Sequence, residues 1–501
     1  MIRINIMQCI GFVLYTLICI ITTYAYKKPV LKFGGSSLAN VKKMKNVCNI
    51  VEKVIKDEKE TPIIVLSAIG DTTNKLLAAG ELALLDDGYN NAIDIVNGIK
   101  SDHYNILNYA KNHSINNLNI NKEKFEDESE SLKNLIDFNI MNIKRIINGI
   151  NILDEFSPMI KDLLSSHGEI LSTRLFCYFI NNLYLIDKEI EAKQYDSWDI
   201  GLRTYGNFGD SKFRDDDIEK LKVCLKIDKL LEDKKMPIVT GFICKNDDGR
   251  ITTLGRGGSD LTATFLASCC KSKEIQIWKD VDGLMTADPK IVKSAKPISK
   301  LSYNQAAELA YFGAKILHPV SMQPASKSDI PVIVKNLYDI NSSGTHISKD
   351  SCNEDNLVLA ITAKKNITLI EICSSRMLEQ AGFLSKVFKI FEEEDISIDV
   401  IATSEVSISL TLDNNNKISN RVISRLRQVA NVRVKDDYSI ISFLCNTKES
   451  TNVMKIIFNV LSKHNVKVEM ISQGASKVNI SIIVKSTDIN KTISIIHNEF
   501  Y

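Results

Sequence analysis

The sequence predicts an α/β protein, with a mostly parallel sheet sandwiched by helices, followed by two smaller α+β units of the ferredoxin-like type. From Pro29 onward, short apolar strands alternate with amphipathic helices. The strand at 62–67 is a continuous apolar run, which is typical of a parallel strand buried on both faces. Beyond residue 366 the order changes to β-α-β-β-α and occurs twice, which indicates an internal repeat.

The bulk composition is that of an ordinary globular protein. The 501 residues suffice for about two to four domains, with 25% charged and 44% hydrophobic side chains. The net charge of +2, without a long run of one sign, argues against a nucleic-acid partner. The 11 cysteines are scattered without CxxC or Cys/His ligand spacing, so we expect reduced thiols and no protein-bound metal.

Residues 1–26 have the pattern of a signal-like hydrophobic leader. Arg3 precedes an apolar run at 10–21, and small residues follow at 23–25. The run is short for a membrane span, although a membrane-associated segment stays open as the alternative. A leader indicates secretory entry, whereas the chemistry described below fits the cytoplasm or a plastid, so the sequence leaves the compartment open.

The predicted strands of the first part place several loops at one edge of a sheet. Strands are expected at 30–33, 62–67, 237–244, 275–278 and 331–335, with a helix at 41–56 and a strandless helical region at about 86–162. Because α/β folds bind ligands at the carboxyl ends of parallel strands, the loop at 67–74 is a candidate binding loop.

The repeated part consists of two units of about 65 residues each. The first has a strand at 367–372, a helix at 382–394 and strands at 396–401 and 406–412; the second has a strand at 439–444, a helix at 452–464, strands at 466–471 and 478–484, and a final helix. Such paired units bind small effectors, and a dimerisation module without a ligand is the alternative. A further strand at 357–362 is open to pairing with either unit.

The motif KFGGSS at 32–37 has a lysine directly before two glycines and two hydroxyls. Glycine turns present bare backbone N–H groups that suit phosphate, and the Lys32 ammonium group would neutralise its charge. The lysine precedes the glycines, unlike the lysine of the GxxxxGK[ST] loop, so a plain strand–turn explains this motif equally well.

The motif GRGGSD at 255–260 lies between a strand and a helical run at 261–268. Its glycines free N–H groups for an anion, and Arg256 offers a planar fork for a carboxylate or phosphate. Asp260 suits an ammonium group. The alternative is a structural N-cap role for Ser259 and Asp260.

Three further motifs have weaker signals. SHGE at 166–169 is predicted to open a helix, where the helix dipole favours Glu169 as a binding or merely capping group. WKDVDGLMTADPK at 278–290 follows a strand and is a candidate for closing on a nucleotide. A helix predicted at 306–319 carries Lys315, which is either a phosphate contact or solvated.

Taken in order, KFGGSS, SAIGDTTN, SHGE, GRGGSD, WKDVDGLMTADP and ELAYFGAKILHP resemble the aspartate kinases of the amino acid kinase family. The segments SRMLEQAGFLSKVF, ISIDVIATSEVSISLTLD and ISQGASKVNISIIV resemble paired ACT domains. The residues of these motifs are most similar to those of the plant-type, lysine-sensitive, monofunctional aspartate kinases. The resemblance covers the chain after residue 28. It implies a kinase domain at 27–345, a linker at 346–356 and ACT domains at 357–430 and 431–501.

The resemblance implies that ATP phosphorylates the β-carboxylate of L-aspartate to 4-phospho-L-aspartate, the first step of lysine, threonine and methionine biosynthesis. Mg²⁺ would be bound through the ATP phosphates. The implied partners are L-lysine as allosteric effector and a second copy of the chain, in a homodimer through the ACT domains that can pair into a tetramer.

Roles follow only for positions that match the family's motifs. The implied catalytic residues are Lys32 and Asp260; the substrate residues are Thr73, Glu169, Arg256 and Ser259; and the nucleotide residues are Lys32, Gly34, Gly35, Ser36, Trp278, Asp280, Lys290 and Lys315. Arg256 would take the α-carboxylate, and Glu169 and Asp260 would hold the α-ammonium group. The free β-carboxylate needs no general base, so catalysis is positioning and charge neutralisation.

The implied lysine-effector residues are Met377, Phe383, Leu384, Ser397, Asp399, Ser404 and Glu405. Asp399 and Glu405 would grip the two ammonium groups of lysine, while Phe383 and Leu384 would cover its methylene groups. Whether the second ACT unit binds a ligand is left open.

The chain departs from the family at a few positions. His167 stands in place of a phenylalanine, Asp71 adds a carboxylate near the substrate loop, and Lys290 stands where arginine is frequent. The core charges are retained, so we expect activity. A non-catalytic lysine sensor on a kinase scaffold is the main alternative, and an acetylglutamate kinase or a bifunctional enzyme with homoserine dehydrogenase is not expected.

Overall fold

The computed structural model describes residues 28–58, 60–117, 122–186, 189–313, 317–349, 356–373, 382–413, 418–445, 447–474 and 478–501. The chain divides into two compact units, one of Met1–Gly283 and Val320–Lys349, the other of Leu284–Pro319 and Asp350–Tyr501. The predicted leader at 1–26 lies outside the described residues. No helix in the described ranges is long and apolar enough to span a membrane.

The strands alternate with helices in the first unit and follow the repeat in the second. They are β1 Val30–Phe33, β2 Ile63–Leu66, β3 Glu191–Tyr195, β4 Thr204–Tyr205, β5 Lys212–Phe213, β6 Lys235–Thr240, β7 Ile243–Lys245, β8 Ile251–Thr253, β9 Ile275–Lys279, β10 Lys300–Leu301, β11 Val332–Asn336, β12 Thr345–Ile347, β13 Val358–Cys373, β14 Ile401–Thr403, β15 Ser407–Asp413, β16 Asn431–Cys445, β17 Met470–Gln473 and β18 Asn479–Lys485.

The helices include three long ones near the middle of the first unit. They are α1 Gly35–Leu38, α2 Val41–Glu58, α3 Thr72–Leu82, α4 Tyr89–Asn117, α5 Lys122–Leu153, α6 Pro158–Leu183, α7 Asp217–Glu232, α8 Gly258–Cys270, α9 Tyr303–Tyr311, α10 Gln323–Lys327, α11 Phe383–Glu393, α12 Asn420–Arg427, α13 Ser450–Lys463 and α14 Ile489–Phe500, with short 3₁₀ turns at Pro319–Met322 and Thr447–Glu449.

The main sheet of the first unit has the strand order β12–β11–β9–β1–β2–β6–β3. Its pairings are parallel except for the antiparallel edge between β11 and β12. Every residue of β1 and β2 is buried, as expected for central strands covered on both faces. The predicted mostly parallel sheet is confirmed.

The strand predicted at 237–244 is instead two strands, β6 and β7. Gly241 and Phe242 separate them, and Phe242 has a φ of 65°, which no regular strand permits. The Gly241 N–H donates to the Leu66 carbonyl at 2.8 Å, so the chain turns at the edge of the sheet.

The second unit is built around one antiparallel sheet of order β14–β15–β13–β16–β18–β17. The repeat is confirmed as β13-α11-β14-β15-α12 followed by β16-α13-β17-β18-α14. The two halves interleave, because the first part of β13 pairs with the end of β16, as in the pair Ile361↔Phe443. The second part pairs with the start of β16 and with β15. The short strands β14 and β17 begin later than the predictions at 396 and 466.

The segment Leu284–Pro319 packs in the second unit, although the sequence resemblance assigns it to the kinase part. Its Ala287 and Val292 belong to the same apolar core as Ile361, and the Ile361 N–H donates to the Thr286 carbonyl at 2.7 Å. The predicted boundary at 345 divides the chain at one point, whereas the packing assigns Leu284–Pro319 to the second unit and Val320–Lys349 to the first. The predicted linker at 346–356 begins within β12, and its residues 350–355 lie outside the described part.

The helix predicted at 306–319 is shorter than expected. Helix α9 ends at Tyr311, and Gly313 then has a φ of 130°. A Cβ atom at Gly313 would lie 2.3 Å from the Ala363 carbonyl oxygen, so only glycine permits this approach to β13.

Candidate active site

The candidate site lies where the carboxyl ends of β1, β2, β6 and β9 reach the same edge of the sheet. The loop after β1 carries the KFGGSS glycines, the loop after β2 carries residues 67–71, and α8 begins in GRGGSD. Parallel strands bring their carboxyl ends together, so motifs far apart in sequence converge here.

At the centre of the site, one carboxylate contacts two lysines. The Lys32 Nζ lies 2.6 Å from Asp260 Oδ1, and the two side chains are only 7% and 6% exposed. The Lys279 Nζ lies 3.4 Å from Asp260 Oδ2. The structure thus brings together the two predicted catalytic residues and adds Lys279, which the sequence-based prediction does not contain.

The charges of these three groups depend on one another. Burial raises the pKa of the Asp260 carboxyl, but the Lys32 and Lys279 ammonium groups outweigh burial and hold the pKa below its ordinary value. Burial lowers the pKa of Lys279, an effect that Asp260 opposes and Lys32 reinforces. The formal charge of the group is positive, which suits a phosphoryl group.

Glu169 reaches the site from the middle of α6, so the predicted helix start at SHGE is wrong. Helix α6 begins at Pro158, after Ser157, and the helix dipole therefore does not explain Glu169. A Cβ atom at Gly168 would lie 2.8 Å from the Ala68 Cβ, so this glycine lets α6 approach the loop after β2. The Ala68 N–H donates to Glu169 Oε1 at 3.1 Å.

Glu169 is a buried acid with a strongly shifted pKa. Burial raises the pKa to about 8, against the opposing effects of the Ala68 hydrogen bond and the Lys32 charge. Its Oε2 atom is buried and has no hydrogen-bond partner among the residues that the structure describes. A carboxyl group of this kind is typical of a functional site, where a cationic ligand can ionise it.

Two of the positions at which the chain departs from the family, His167 and Asp71, make contacts that explain them structurally. His167 Nδ1 lies 2.9 Å from Asn139 Oδ1, and burial lowers the pKa of His167 to about 4, so the ring is neutral at pH 7. The Asp71 carboxylate is 66% exposed and lies 3.2 Å from Lys75 Nζ. The extra carboxylate is therefore paired with a lysine at the surface.

The glycines of KFGGSS hold two loops face to face. A Cβ atom at Gly35 would lie 2.4 Å from the Gly70 carbonyl oxygen, and the Gly70 N–H donates to the Gly35 carbonyl at 2.9 Å. A Cβ atom at Gly34 would lie 3.5 Å from Lys32 Nζ, so the lysine head lies over this glycine. Ser36, the third predicted contact of this loop, is exposed.

In GRGGSD the turn is made by two left-handed glycines, Gly255 with a φ of 67° and Gly257 with a φ of 76°. Gly257 caps α8, and no side chain caps this helix, so the alternative N-cap role of Ser259 and Asp260 is wrong. Asp260 instead reaches the lysines, and Arg256 between the glycines is exposed.

The remaining predicted substrate residues, Ser259 and Thr73, lie near these motifs. Ser259 is buried, and a Cβ atom at Gly241 would lie 2.7 Å from its Cβ. Thr73 lies in the first turn of α3, with its Oγ1 3.4 Å from the position of a Gly168 Cβ. Thr73 therefore neighbours the SHGE motif.

Asp162 supports the site, and the sequence-based prediction does not contain it. It accepts hydrogen bonds from Gly209 N, Thr253 N and Thr253 Oγ1, at 2.7 to 2.9 Å. These bonds tie α6 to β8, the strand that leads into GRGGSD. Burial raises the pKa of Asp162, and its hydrogen bonds oppose this. An acidic residue on the apolar face of a helix is the sequence signal for such a role.

The predicted nucleotide residues are not all available to a ligand. The Trp278 ring is 1% exposed and stacks on Phe33 with centroids 6.3 Å apart, so the ring packs in the core, and its nucleotide contact stays a prediction. Asp280 is exposed at the end of β9. Lys290 is exposed in the second unit, and Lys315 lies outside the described residues.

Asp399, one of the predicted effector residues, contacts two other side chains of the second unit. Both Asp399 oxygens lie 2.8 Å from the Lys364 Nζ, and the Tyr311 hydroxyl donates to Oδ1 at 3.1 Å. Burial and the nearby Asp399 raise the pKa of Tyr311 to about 12. Lys364 is therefore ion-paired with Asp399, the carboxylate that is predicted to bind the effector L-lysine.

The other effector candidates differ in accessibility. Phe383 is buried in an apolar core, and its role as a surface over the effector stays a prediction. The remaining described candidates, Leu384, Ser397, Ser404 and Glu405, are exposed. Met377 lies outside the described residues.

Comparison with known proteins matches both parts of the chain to families. Residues 27–336 match the amino acid kinase family, and residues 370–419 and 446–500 match the ACT domain. Aspartokinase 1, chloroplastic, from Arabidopsis thaliana is 41% identical over 481 residues, which cover 94% of this chain and 80% of that protein.

Solved structures of E. coli aspartokinase III resemble the whole fold. The complex with aspartate and ADP has a TM-score of 0.77 at 31% identity, covering 94% of this chain and 99% of that chain. The complex with lysine and aspartate has a TM-score of 0.73 at 30% identity, covering 95% and 100%. With the converging motifs described above, these matches show that the chain belongs to the aspartokinases, within the amino acid kinase family.

Proposed function

We propose that this protein is an aspartate kinase, which transfers the γ-phosphoryl group of ATP to the β-carboxylate of L-aspartate and releases ADP. The observation that carries this proposal is the buried contact of Lys32 with Asp260, at 2.6 Å, at the strand edge that also holds Glu169. This edge of the sheet therefore holds a cation for a phosphoryl group, Lys32, and an acid for an ammonium group, Glu169.

In the proposed mechanism each charged group of aspartate has a partner. Arg256 takes the α-carboxylate, and Glu169 takes the α-ammonium group, because its Oε2 is unpaired among the described residues. We assign Asp260 a different role from the one that the sequence implied, since both of its oxygens already face lysines. Asp260 holds Lys32 in position.

The reaction needs no general base. The ionised β-carboxylate attacks the γ-phosphorus, the bond from phosphorus to the β,γ-bridging oxygen breaks, and ADP leaves with that electron pair. The chain contributes in-line positioning and the Lys32 charge, which neutralises the transferred group. Mg²⁺ would be held by the ATP phosphates and supply further neutralisation; no group of three or more potential metal ligands occurs among the described residues.

We also propose L-lysine as the effector of the ACT unit, with Asp399 as an ammonium ligand. A relative from E. coli is named lysine-sensitive aspartokinase 3 and is 31% identical over 485 residues. The exposed Glu405 and Leu384 would complete the pocket.

We propose a homodimer through the ACT domains, with a tetramer as the higher assembly. Leu384, Ile401 and Val406 are large apolar side chains that are 39% to 43% exposed, and Ile401 lies on the edge strand β14. These side chains are suited to burial against a second copy of the chain.

We also propose a plastid location. The Arabidopsis thaliana aspartokinases 1 and 2, which this chain resembles, are both named chloroplastic.

The test is ATP-dependent formation of aspartyl phosphate by the purified protein, trapped as the hydroxamate, with and without L-lysine. We expect turnover that lysine suppresses, and a loss of about 10³-fold in the Lys32→Met variant. Activity indifferent to lysine would keep the kinase and remove lysine as its effector. No turnover from a folded protein that binds ATP would instead support the non-catalytic sensor.

A further inference from the structure

We propose that Lys279 is a second catalytic lysine, whose ammonium group contacts the phosphoryl group during transfer together with Lys32. The inference rests on the proposed kinase function. It concerns a residue outside the roles that the sequence resemblance assigned.

The register of the sheet places Lys279 beside Lys32. Strands β1 and β9 are parallel neighbours in which Lys32 pairs with Ile277. Side chains alternate along a strand, so Ile277 and Lys279 both point to the face that carries Lys32. Lys279 is the last residue of β9, at the carboxyl end where the KFGGSS loop also begins.

The contacts with Asp260 confirm that both lysine heads meet on this face. Lys32 lies 2.6 Å from Oδ1 and Lys279 lies 3.4 Å from Oδ2. The shorter contact belongs to Lys32, which is 7% exposed, whereas Lys279 is 22% exposed. Lys279 is therefore the more accessible of the two lysines to an incoming phosphoryl group.

The opposite face of the sheet supplies a matched control. Lys335 on β11 pairs with Trp278, the residue before Lys279, so it points to the other face. Its Nζ lies 5.0 Å from the centre of the Trp278 ring. Lys335→Met removes an ammonium group near the same strand end without touching Asp260.

The experiment compares wild type, Lys279→Met, Lys279→Arg and Lys335→Met in two assays. The first is turnover in the hydroxamate assay. The second is the ratio of the dissociation constants for ADP and for an ATP analogue with an imido group between the β- and γ-phosphates. A contact with the γ-phosphoryl group affects this ratio, whereas a purely structural role changes both constants alike.

We expect Lys279→Met to lower kcat about 10²-fold and to weaken the ATP analogue relative to ADP. Lys279→Arg should recover part of the loss, and Lys335→Met should stay within about twofold of wild type. An unchanged kcat in Lys279→Met, or a loss with an unchanged nucleotide ratio, overturns the inference. An inactive wild type would contradict the proposed function instead, and the nucleotide ratio would still test Lys279.

Discussion

Asp260 is the residue on which the geometry of the candidate site depends most directly. Its buried carboxylate contacts two lysines, and removing the anionic partner of a buried ion pair leaves positive charge in a poorly solvated place. Surface ion pairs behave differently, because water screens both charges. The chain contains both kinds, which allows a direct comparison.

We predict that Asp260→Asn lowers the free energy of unfolding by about 3 kcal/mol and reduces turnover by at least about 10²-fold. Urea unfolding and the hydroxamate assay measure the two effects. Asp247→Asn is the control, because Asp247 pairs with Arg214 at the surface and is 61% exposed. Equal effects of the two substitutions would contradict the assigned role of Asp260.

Glu169 predicts a pH dependence of aspartate binding. Burial raises its pKa to about 8, so the carboxyl is protonated in the unliganded protein at pH 7. Binding an ammonium group requires the carboxylate, so aspartate binding should release a proton at pH 7 and tighten as the pH rises toward 8. Calorimetry in two buffers of different ionisation enthalpy measures this proton release, and Glu169→Gln should abolish it.

The same shift fixes the sign of the effect on stability. A folded-state pKa above the ordinary value of 4.5 stabilises the protein fully below pH 4.5, and this contribution is lost as the pH rises through about 8. The opposite pH trend in the difference between wild type and Glu169→Gln would contradict a buried, protonated carboxyl.

The elements that the sequence predicts well are those with a strong local pattern. Strand β1 matches its prediction at 30–33, and α2 extends the predicted helix only to Glu58, because their apolar spacing directly determines the buried face. Helix α6 was harder to predict from local signals, since Gly168 looks like a helix boundary. Gly168 is required because α6 packs closely against Ala68, which is distant in sequence, and a local pattern does not record such a contact.

Two glycines allow the packing of the KFGGSS loop to be tested at the level of elements. Gly35→Ala should destabilise the protein by about 1–3 kcal/mol and reduce turnover, since a Cβ atom would lie 2.4 Å from the Gly70 carbonyl oxygen. Gly98→Ala, in the interior of α4 with no atom within 4 Å of its Cβ, should instead stabilise by about 0.5–1 kcal/mol. Thermal unfolding of both variants tests the pair; two changes of the same sign would argue against the close approach.

The contact of Lys364 with Asp399, the proposed effector carboxylate, predicts a competition between Lys364 and the effector. Lys364 must leave Asp399 before an effector ammonium group can bind there, so Lys364→Met should lower the lysine concentration needed for half inhibition. Lys365→Met is the control, because Lys365 contacts Asn490 at 3.0 Å and not Asp399. If Lys364→Met weakens inhibition, Lys364 supports the pocket and does not compete for it.

For the molecule as a whole, the sequence predicts the classes of the two parts, because motifs record local chemistry, and its predicted residues Lys32, Asp260 and Glu169 lie at one edge of the sheet. It does not predict Lys279, whose role depends on the register between β1 and β9. Nor does it predict that Leu284–Pro319 packs in the second unit, because that depends on contacts of Ala287 and Val292 with distant residues. Long-range packing is what the local pattern lacks.

The division of the chain into units has a consequence for modularity. The backbone passes from the first unit to the second, returns to the first, and passes to the second again. A regulatory module exchanged at one splice point after residue 345 would leave Leu284–Pro319 behind, together with the apolar side chains that complete its core. Recombination between related enzymes therefore preserves the regulatory unit only when two separate stretches of the gene are inherited together.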